Sequence, residues 1–594
     1  MSFCRLMRSA RSGLDGGGHD SWWVELGGSR HDFLAIKRTS ARSCCASLHA
    51  WGRMSWRYSG AAYSYSYLRS AVIFTAPVTG EVLDAFRNLT SVSPGGSVHP
   101  AVLRDFIMEY FEPPGQEFEP WTPTDWHDGP QFLSKIADAE LRSWAGKLHQ
   151  LWKSLGRKIR LDVRDRPELY SLIYTPHPFI VPGGRFREIY YWDSYWVING
   201  LLLSEMQDTA KGMIQNFLYL VDRYGFVPNG SRRYYERRSQ PPFLALMVES
   251  YYQATGDEEL LRNALPVLER EYEFWMSNRS LDVATEGHLN ILNRYAVPVG
   301  QPRPESYSDD ADLAKGLSAD AQQQLYMELN SGAESGWDFS SRWYLAGPGQ
   351  ASLRDIGTSR IIPVDLNSVL CRVEGLLANF HRAVGDGASA GKYDKARERR
   401  LGAMETLLWD PQRGCWFDYE LPSGTRRPAF YPSGLAPLWA RCYSRPDMAE
   451  AALRYLEESG ALLFPNGVPT SLVDSGQQWD LPNAWPPLQH MLIEGLSNMN
   501  ISKAQDLAFD LAQRWIKTNW VVYKKYDAMF EKYNIDGDGQ PGGGGEYEVQ
   551  LGFGWTNGVA LQLLDRYGDR LSGSPSLRPS ISLGLFFVTL VMAM

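Results

Sequence analysis

The chain has 594 residues, of which 44% are hydrophobic and 22% charged; this is the composition of a folded protein with a substantial core and excludes a largely disordered chain. Its formal charge of -8, with no basic run, excludes nucleic acid or an anionic membrane surface as the partner its charge would select, and a neutral substrate suits it better. Cys4, Cys44, Cys45, Cys371, Cys415 and Cys442 contain no C-x-x-C and accompany no His pair at ligand spacing, which argues against a metal.

Residues 1 to about 75 are rich in Ser, Gly and Arg and show no sustained apolar periodicity, so they read as a poorly ordered region. They also lack the basic, apolar and small-residue order of a secretory signal. From 76 to 175, helix-compatible pieces such as VLDAFRNL and HPAVLRDFIMEYF alternate with Pro-rich loops, as expected for a segment that wraps a larger body. From 176 to 568, apolar residues recur three or four apart over long stretches, for example WVINGLLLSEMQDTAKGMIQNFLYLVDRYG and LNSVLCRVEGLLANFHRAVG. Helices therefore dominate, and strand-like alternation is sparse. Many helices joined in pairs bury both faces best in a closed ring of hairpins, so the expected fold class is all-α, an α/α toroid.

Within this body Cys371, Cys415 and Cys442 read as buried small hydrophobes rather than a disulfide framework. Trp-Asp recurs at Trp192-Asp193, Trp337-Asp338, Trp409-Asp410 and Trp479-Asp480, near expected loop-to-helix junctions where Asp caps and Trp packs. Residues 569–594 end in an apolar tail, Ile581 to Met594, of about 14 residues, short of the roughly 20 that span a bilayer. Ser572, Gly573 and Ser574 and a polar spacer precede it, which is the layout of a glycolipid-anchor signal; the plainer reading is an apolar C-terminal helix.

Two strings are more specific. PGGRFREIYYWDSYW at 182–196 has a Gly pair that permits close backbone approach to a ligand and then carries Arg185, Trp192 and Asp193. QWDLPNAWPP at 478–487 sets an acid among aromatic residues, including Trp479. Together they closely resemble the two signature motifs of the trehalase family. PNGSRRYYERRSQPP, PRPESYSDD, ESGWDFSSRW, IIPVDLN, EKYN and GGGGEYEVQLGFGWTNGV resemble further blocks of that family, in its order, over about 175–568.

The resemblance implies an (α/α)6 toroid that hydrolyses the α,α-1,1 bond of trehalose with inversion, without metal or cofactor. Inversion needs a protonated acid at the leaving oxygen and a carboxylate that activates water, roughly 6.5–9.5 Å apart. Asp338, between Trp337 and Phe339, sits where an apolar setting raises a carboxyl pKa, and the resemblance assigns it the general acid. Either Glu531 or Glu546 could face the water on residue type alone; the EKY block gives the base to Glu531, leaving Glu546 as a sugar contact beneath a glycine-rich lid.

The same resemblance carries over Arg185, Trp192, Asp193, Asn229, Arg238, Ser239, Gln240, Arg303, Glu305 and Gly336 as substrate contacts. A solvated face suits Arg232, Arg233 and Arg237. Asn229 begins an N-G-S sequon, but a substrate-site residue is expected to be buried and unmodified, so Asn88, Asn278 and Asn500 are better sequons for an exported chain. Residues 1 to about 75 do not resemble the family's usual start. These expectations place the protein outside the cell, free or held by a glycolipid anchor. Two other readings fit the same toroid: a catalytically inactive sugar-binding protein, and a glycosidase acting on a different saccharide.

An Asp338→Asn variant is expected to retain sugar binding and lose hydrolysis, because an amide cannot deliver the proton. Near wild-type glucose release by that variant would remove Asp338 from its role.

Overall fold

The structure is a computed structural model that describes residues 80–91, 100–113, 115–285, 288–347 and 352–573. In the first 75 residues it describes only backbone strands, Asp20–Leu26 paired with Asp32–Arg38 and His49–Ala50 paired with Val72–Ile73. The rest of that stretch, read above as poorly ordered, and the apolar tail from 574 onward lie outside the described residues. Among the described residues, no helix is long and apolar enough to cross a membrane.

Six helices form an inner ring: Asp193–Leu203, Leu244–Thr255, Val364–Ala383, Ala436–Ala440, Pro486–Ser497 and Gly554–Tyr567, each touching the next and the last returning to the first. Gln207–Tyr224, Glu258–Asn278, Gly387–Leu407, Pro446–Glu458 and Ser502–Tyr526 each follow an inner helix in the chain. The sixth partner comes from the N-terminal side, because Ala139–Leu155 packs on Gly554–Tyr567. The fold is thus an (α/α)6 toroid closed by its first and last hairpin elements. Part of the stretch expected only to wrap the body is a member of the barrel, with Trp144 and Trp152 fully buried.

Local sequence explains which helix goes where. DSYWVINGLLL is apolar around most of its circumference and buries Tyr195, Trp196, Val197, Ile198 and Leu201, as an inner position demands. GASAGKYDKARERRLGAMETL buries only Ala390, Tyr393, Arg400, Ala403, Met404 and Leu407, one stripe facing the ring. Asp138, Asp257 and Asp386 cap the helices that follow them by accepting backbone N–H bonds, while Gly225 and Gly256 end two others in left-handed conformations.

Ring closure depends on two glycines. A Cβ on Gly200 would lie 2.7 Å from the Trp152 indole and 2.9 Å from the Gly558 backbone, and one on Gly558 would lie 2.1 Å from the Trp196 carbonyl oxygen. The first and last inner helices therefore meet backbone to backbone.

Two sequence expectations are corrected. Cys371 and Cys442 form a disulfide, with Cα atoms 6.2 Å apart although 71 residues separate them in the chain; only Cys415 is a buried free thiol among the described cysteines. The pairing was invisible in sequence because the ring sets Val364–Ala383 beside Ala436–Ala440. Trp409-Asp410 is a hairpin strand paired with Cys415–Trp416, not a helix junction, and Asp410 caps the turn by accepting from Gln412 and Arg413 N–H.

Gly558→Ala is expected to lower the melting temperature by several degrees, through overpacking of about 1–3 kcal/mol. Gly146→Ala, in the open middle of Ala139–Leu155, is expected to be neutral or to stabilise by up to about 1 kcal/mol. Scanning calorimetry of the two variants checks this, and equal melting temperatures would refute the closure argument.

Candidate active site

The amino-terminal ends of inner helices converge on a cavity of about 940 Å³, its open mouth included. Asp193 opens Asp193–Leu203, Trp485 precedes Pro486–Ser497, and Phe553 and Trp555 flank the start of Gly554–Tyr567; all line the cavity. Helix amino termini carry partial positive charge, which favours the carboxylates gathered here.

Of the residues singled out in the sequence, Arg185, Trp192, Asp193, Asn229, Arg238, Gln240, Arg303, Glu305, Gly336, Asp338, Trp479, Glu531 and Glu546 all line this one cavity. Ser239 does not. Its hydroxyl donates to the Val227 carbonyl and its N–H to Glu334, so it braces the loop that presents its neighbours Arg238 and Gln240. Arg232 also departs from expectation, since it is buried between Glu117 at 2.8 Å and Glu188 at 3.4 Å instead of facing solvent. Its partner Glu117 lies in the N-terminal wrap, 115 residues upstream, where no local pattern could reveal it.

Asp338 is partly open to the cavity and otherwise enclosed by protein. Burial and then the nearby Glu546 charge push its carboxyl up to about 7, against the pull of Arg303 and Arg238. Its loop is heavily tied. The Trp479 N–H donates to the Phe339 carbonyl, the Gln478 side chain donates to the Asp338 carbonyl, and Asp480 accepts from the Ser341 N–H and from the Ser340 and Ser341 hydroxyls. The acid in QWDLPNAWPP is therefore a brace for Asp338, and Trp479 beside it stacks on Trp485 at 3.9 Å and on Trp337 at 5.2 Å.

Glu531 is 1% exposed. Its Oε1 accepts from the Tyr547 hydroxyl at 2.7 Å, while Oε2 accepts no hydrogen bond from the described residues. Burial raises its pKa, opposed by Lys532, the Tyr547 hydrogen bond and Arg185. Glu546 is held differently: Arg303 donates to one oxygen at 2.7 Å and the Ser306 hydroxyl to the other at 2.8 Å. Burial pushes the Glu546 carboxyl up, but Arg303, Ser306 and Arg185 together draw it below its ordinary value. The two glutamates that residue type alone left interchangeable are thus distinct, one paired with Arg303 and the other with an oxygen that accepts no hydrogen bond and lies 3.9 Å from the Lys532 ammonium. Asp193, buried near Glu531 and Asp338, lies well above the usual carboxylate range, from burial first and those two charges second.

The polar residues that line the cavity position one another. Arg238 donates to Glu305 and to Asn330, Arg303 to Asp310 and Glu546, and the Asn229 amide to the Ser239 and Ala333 carbonyls. Asn229 is 4% exposed, so its sequon is closed to a glycan. Gly336 has φ +77°, and a Cβ there would meet the Trp192 indole at 2.8 Å. Glycine is required so that Trp192 can lie against the turn before Asp338.

The other glycines do different work from that expected. Gly183 and Gly184 approach the 550–552 backbone and the Gln550 side chain, so the pair admits a neighbouring loop rather than a ligand. Gly543 exchanges two hydrogen bonds with the Asn483 side chain, and Gly545 donates to the Gly476 carbonyl. This loop is sewn to the second signature string, and it carries Glu546 and Tyr547 into the cavity.

Sequence reasoning missed Tyr547, Ser306, Glu188 and Trp485 in the lining and Asp310 behind it. Each touches a residue already singled out or adjoins one, Glu188 through Arg232, and Asp310 lies within the PRPESYSDD block. Nothing in that block marks Asp310 above Asp309; only the fold shows it gripping Arg303 from the backbone N–H, Nε and Nη2. Asp310→Asn is expected to lower the melting temperature by an amount corresponding to about 1.5–3 kcal/mol, because the buried guanidinium keeps only Glu546 as an anionic partner. An unchanged melting temperature would show that Glu546 alone holds Arg303.

A family model described as trehalase matches residues 73–568. The chain is 55% identical to the trehalase of Homo sapiens over 497 residues, covering 84% of this chain and 85% of that protein. It is 48% identical to the trehalase of Apis mellifera over 475 residues, covering 79% and 76%. Among solved structures, the neutral trehalase of Saccharomyces cerevisiae superposes with TM-score 0.54 at 26% identity, over 65% of this chain and 73% of that one. A match running through both signature strings and every cavity-lining block leaves one assignment: the chain belongs to the trehalase family.

Proposed function

We propose that this enzyme hydrolyses α,α-trehalose to two glucose molecules with inversion, and that Asp338 is its general acid and Glu531 its general base. Asp338 transfers its proton to the glycosidic oxygen as the C1–O bond breaks. Glu531 takes a proton from water through its free Oε2 while that water attacks C1 from the opposite face. One glucose leaves with the bridging oxygen and the other receives the water oxygen, so neither metal nor redox cofactor enters the balance. The observation that carries the reading is two carboxyls in one cavity with opposite surroundings: one raised to about 7 beside Glu546, the other next to a buried ammonium and a phenol.

Arg185, Arg238 and Arg303 supply forked donors for vicinal hydroxyls, with Asn229, Gln240, Glu305, Asp193 and Glu546 as further polar contacts. Trp192 and Trp479 offer faces for the sugar rings, and Gly336 lets Trp192 sit where it does. Ser239 acts through the loop it braces.

Export to the outside of the cell, with the tail from Ser572 exchanged for a glycolipid anchor, is the reading we favour for location. The disulfide Cys371–Cys442 supports an oxidising compartment, and the sequon residues Asn88, Asn278 and Asn500 are exposed for glycosylation.

Purified protein is expected to release glucose from trehalose and not from maltose or sucrose; silence from a folded sample would bring forward the inactive sugar-binding reading. The kcat/KM profile is expected to be bell-shaped. Asp338 acts when protonated, so activity falls as pH rises through about 7; Glu531 acts when ionised, so activity falls again on the acid side, at a pH above that of an ordinary glutamate because its pKa is raised. A wild-type profile whose alkaline limb lies well away from pH 7 would show that another group sets it.

A further inference from the structure

Lys532 follows the base in sequence, and its side chain has no solvent exposure. An ammonium taken wholly out of water is unstable unless anions and acceptors surround it. Here Nζ donates to Gln478 Oε1 at 2.7 Å and lies 3.9 Å from Glu531, over the rings of Trp485 at 4.9 Å and Tyr547 at 5.2 Å. Gln478 in turn donates its amide N–H to the backbone carbonyl of Asp338. An unbroken chain therefore runs from the Glu531 carboxylate through Lys532 and Gln478 to the residue carrying the other reacting carboxyl, although 193 positions separate the two acids in sequence.

We propose that Lys532 is a positioning residue shared by both acids: its buried ammonium keeps Glu531 ionised and oriented, and through Gln478 it holds the Asp338 backbone in place. The inference rests on the reading of Glu531 as base and Asp338 as acid.

The charges around this chain make the sign definite. Glu531 faces Lys532, Tyr547, Arg185 and Asp193, and Asp338 faces Glu546, Arg303 and Arg238; Lys532 also feels Glu548. Burial holds the Lys532 pKa below its ordinary value, and the charges of Glu531, Asp338 and Glu548 oppose that fall, so the ammonium and the two acids depend on one another. Without the ammonium, Glu531 keeps Arg185 and the Tyr547 hydroxyl but loses the cation nearest to it and must be harder to ionise. A residue that only filled space between Trp485 and Tyr547 would leave that ionisation alone.

The test is the pH profile of kcat/KM for trehalose in the full chain bearing Lys532→Met, which removes the charge and retains most of the volume, and Lys532→Arg, which retains the charge. In Lys532→Met the acid limb is expected to move up by about one pH unit and kcat to fall at least tenfold. Trehalose affinity, measured calorimetrically in the Asp338→Asn background, is expected to stay within about threefold. Lys532→Arg is expected to keep the acid limb at its wild-type position. A folded Lys532→Met protein with an unmoved acid limb would overturn the proposal.

If Lys532→Met does not fold, Gln478→Leu tests the other half of the chain. It is expected to lower kcat at least tenfold with the acid limb in place, and wild-type kcat in that variant would overturn the tether. Wild-type turnover in Glu531→Gln or Asp338→Asn would instead sink the acid–base assignment itself, independently of what Lys532 does.

Discussion

Asp193, Asp338, Glu531 and Glu546 line one cavity, where four ionised carboxylates would repel one another and lose much of their hydration together. Every feature around the cavity limits that penalty in a particular way. Glu546 is neutralised by Arg303, which Asp310 grips from behind. Glu531 has a buried ammonium, a phenol and Arg185 nearby. At Asp338 burial and the Glu546 charge outweigh the pull of Arg303 and Arg238, so it keeps its proton up to about pH 7, and buried Asp193 also lies well above the usual carboxylate range. The unequal sharing of counter-charge sets these carboxyls apart in how readily each holds a proton, although all are carboxyl groups in the same enclosure.

Such a division requires side chains held to a fraction of an ångström, and the toroid supplies this by bringing helix amino termini to a common centre. Loops between helices then cross-link there. Asp480 ties the segment after Asp338 to the second signature string, Asn483 ties that string to the glycine loop, and Gly183 and Gly184 admit the 550–552 loop against the first string. The glycines that read as ligand-binding devices are packing devices. Removing Cβ allows backbones to touch, and touching backbones leave little freedom to the carboxylates between them.

The N-terminal part is integral to this arrangement. Ala139–Leu155 completes the sixth hairpin, and Glu117 meets Arg232 in a buried pair beneath the loop that carries Asn229 and Arg238. Breaking that pair would leave an uncompensated charge under the site, so the wrap contributes to the position of the loop that carries Arg238 as well as to ring closure.

The helical class, the most apolar inner helix and the blocks that build the cavity were legible in the sequence, because helical periodicity and short motifs are local and survive without the fold. All but one of the singled-out site residues reach the cavity; Ser239 fails because the direction of a side chain in a loop is set by its hydrogen-bond partners, here Val227 and Glu334. The base was given to Glu531 by the EKY block, but the different partners of Glu531 and Glu546, the grip of Asp310 on Arg303, the burial of Arg232 and the Cys371–Cys442 bond appear only in the tertiary structure. Each depends on groups far apart in the chain, and neither a carboxyl's charge state nor a cysteine's partner is a property of its neighbours in sequence; both follow from what the closed ring brings within a few ångströms.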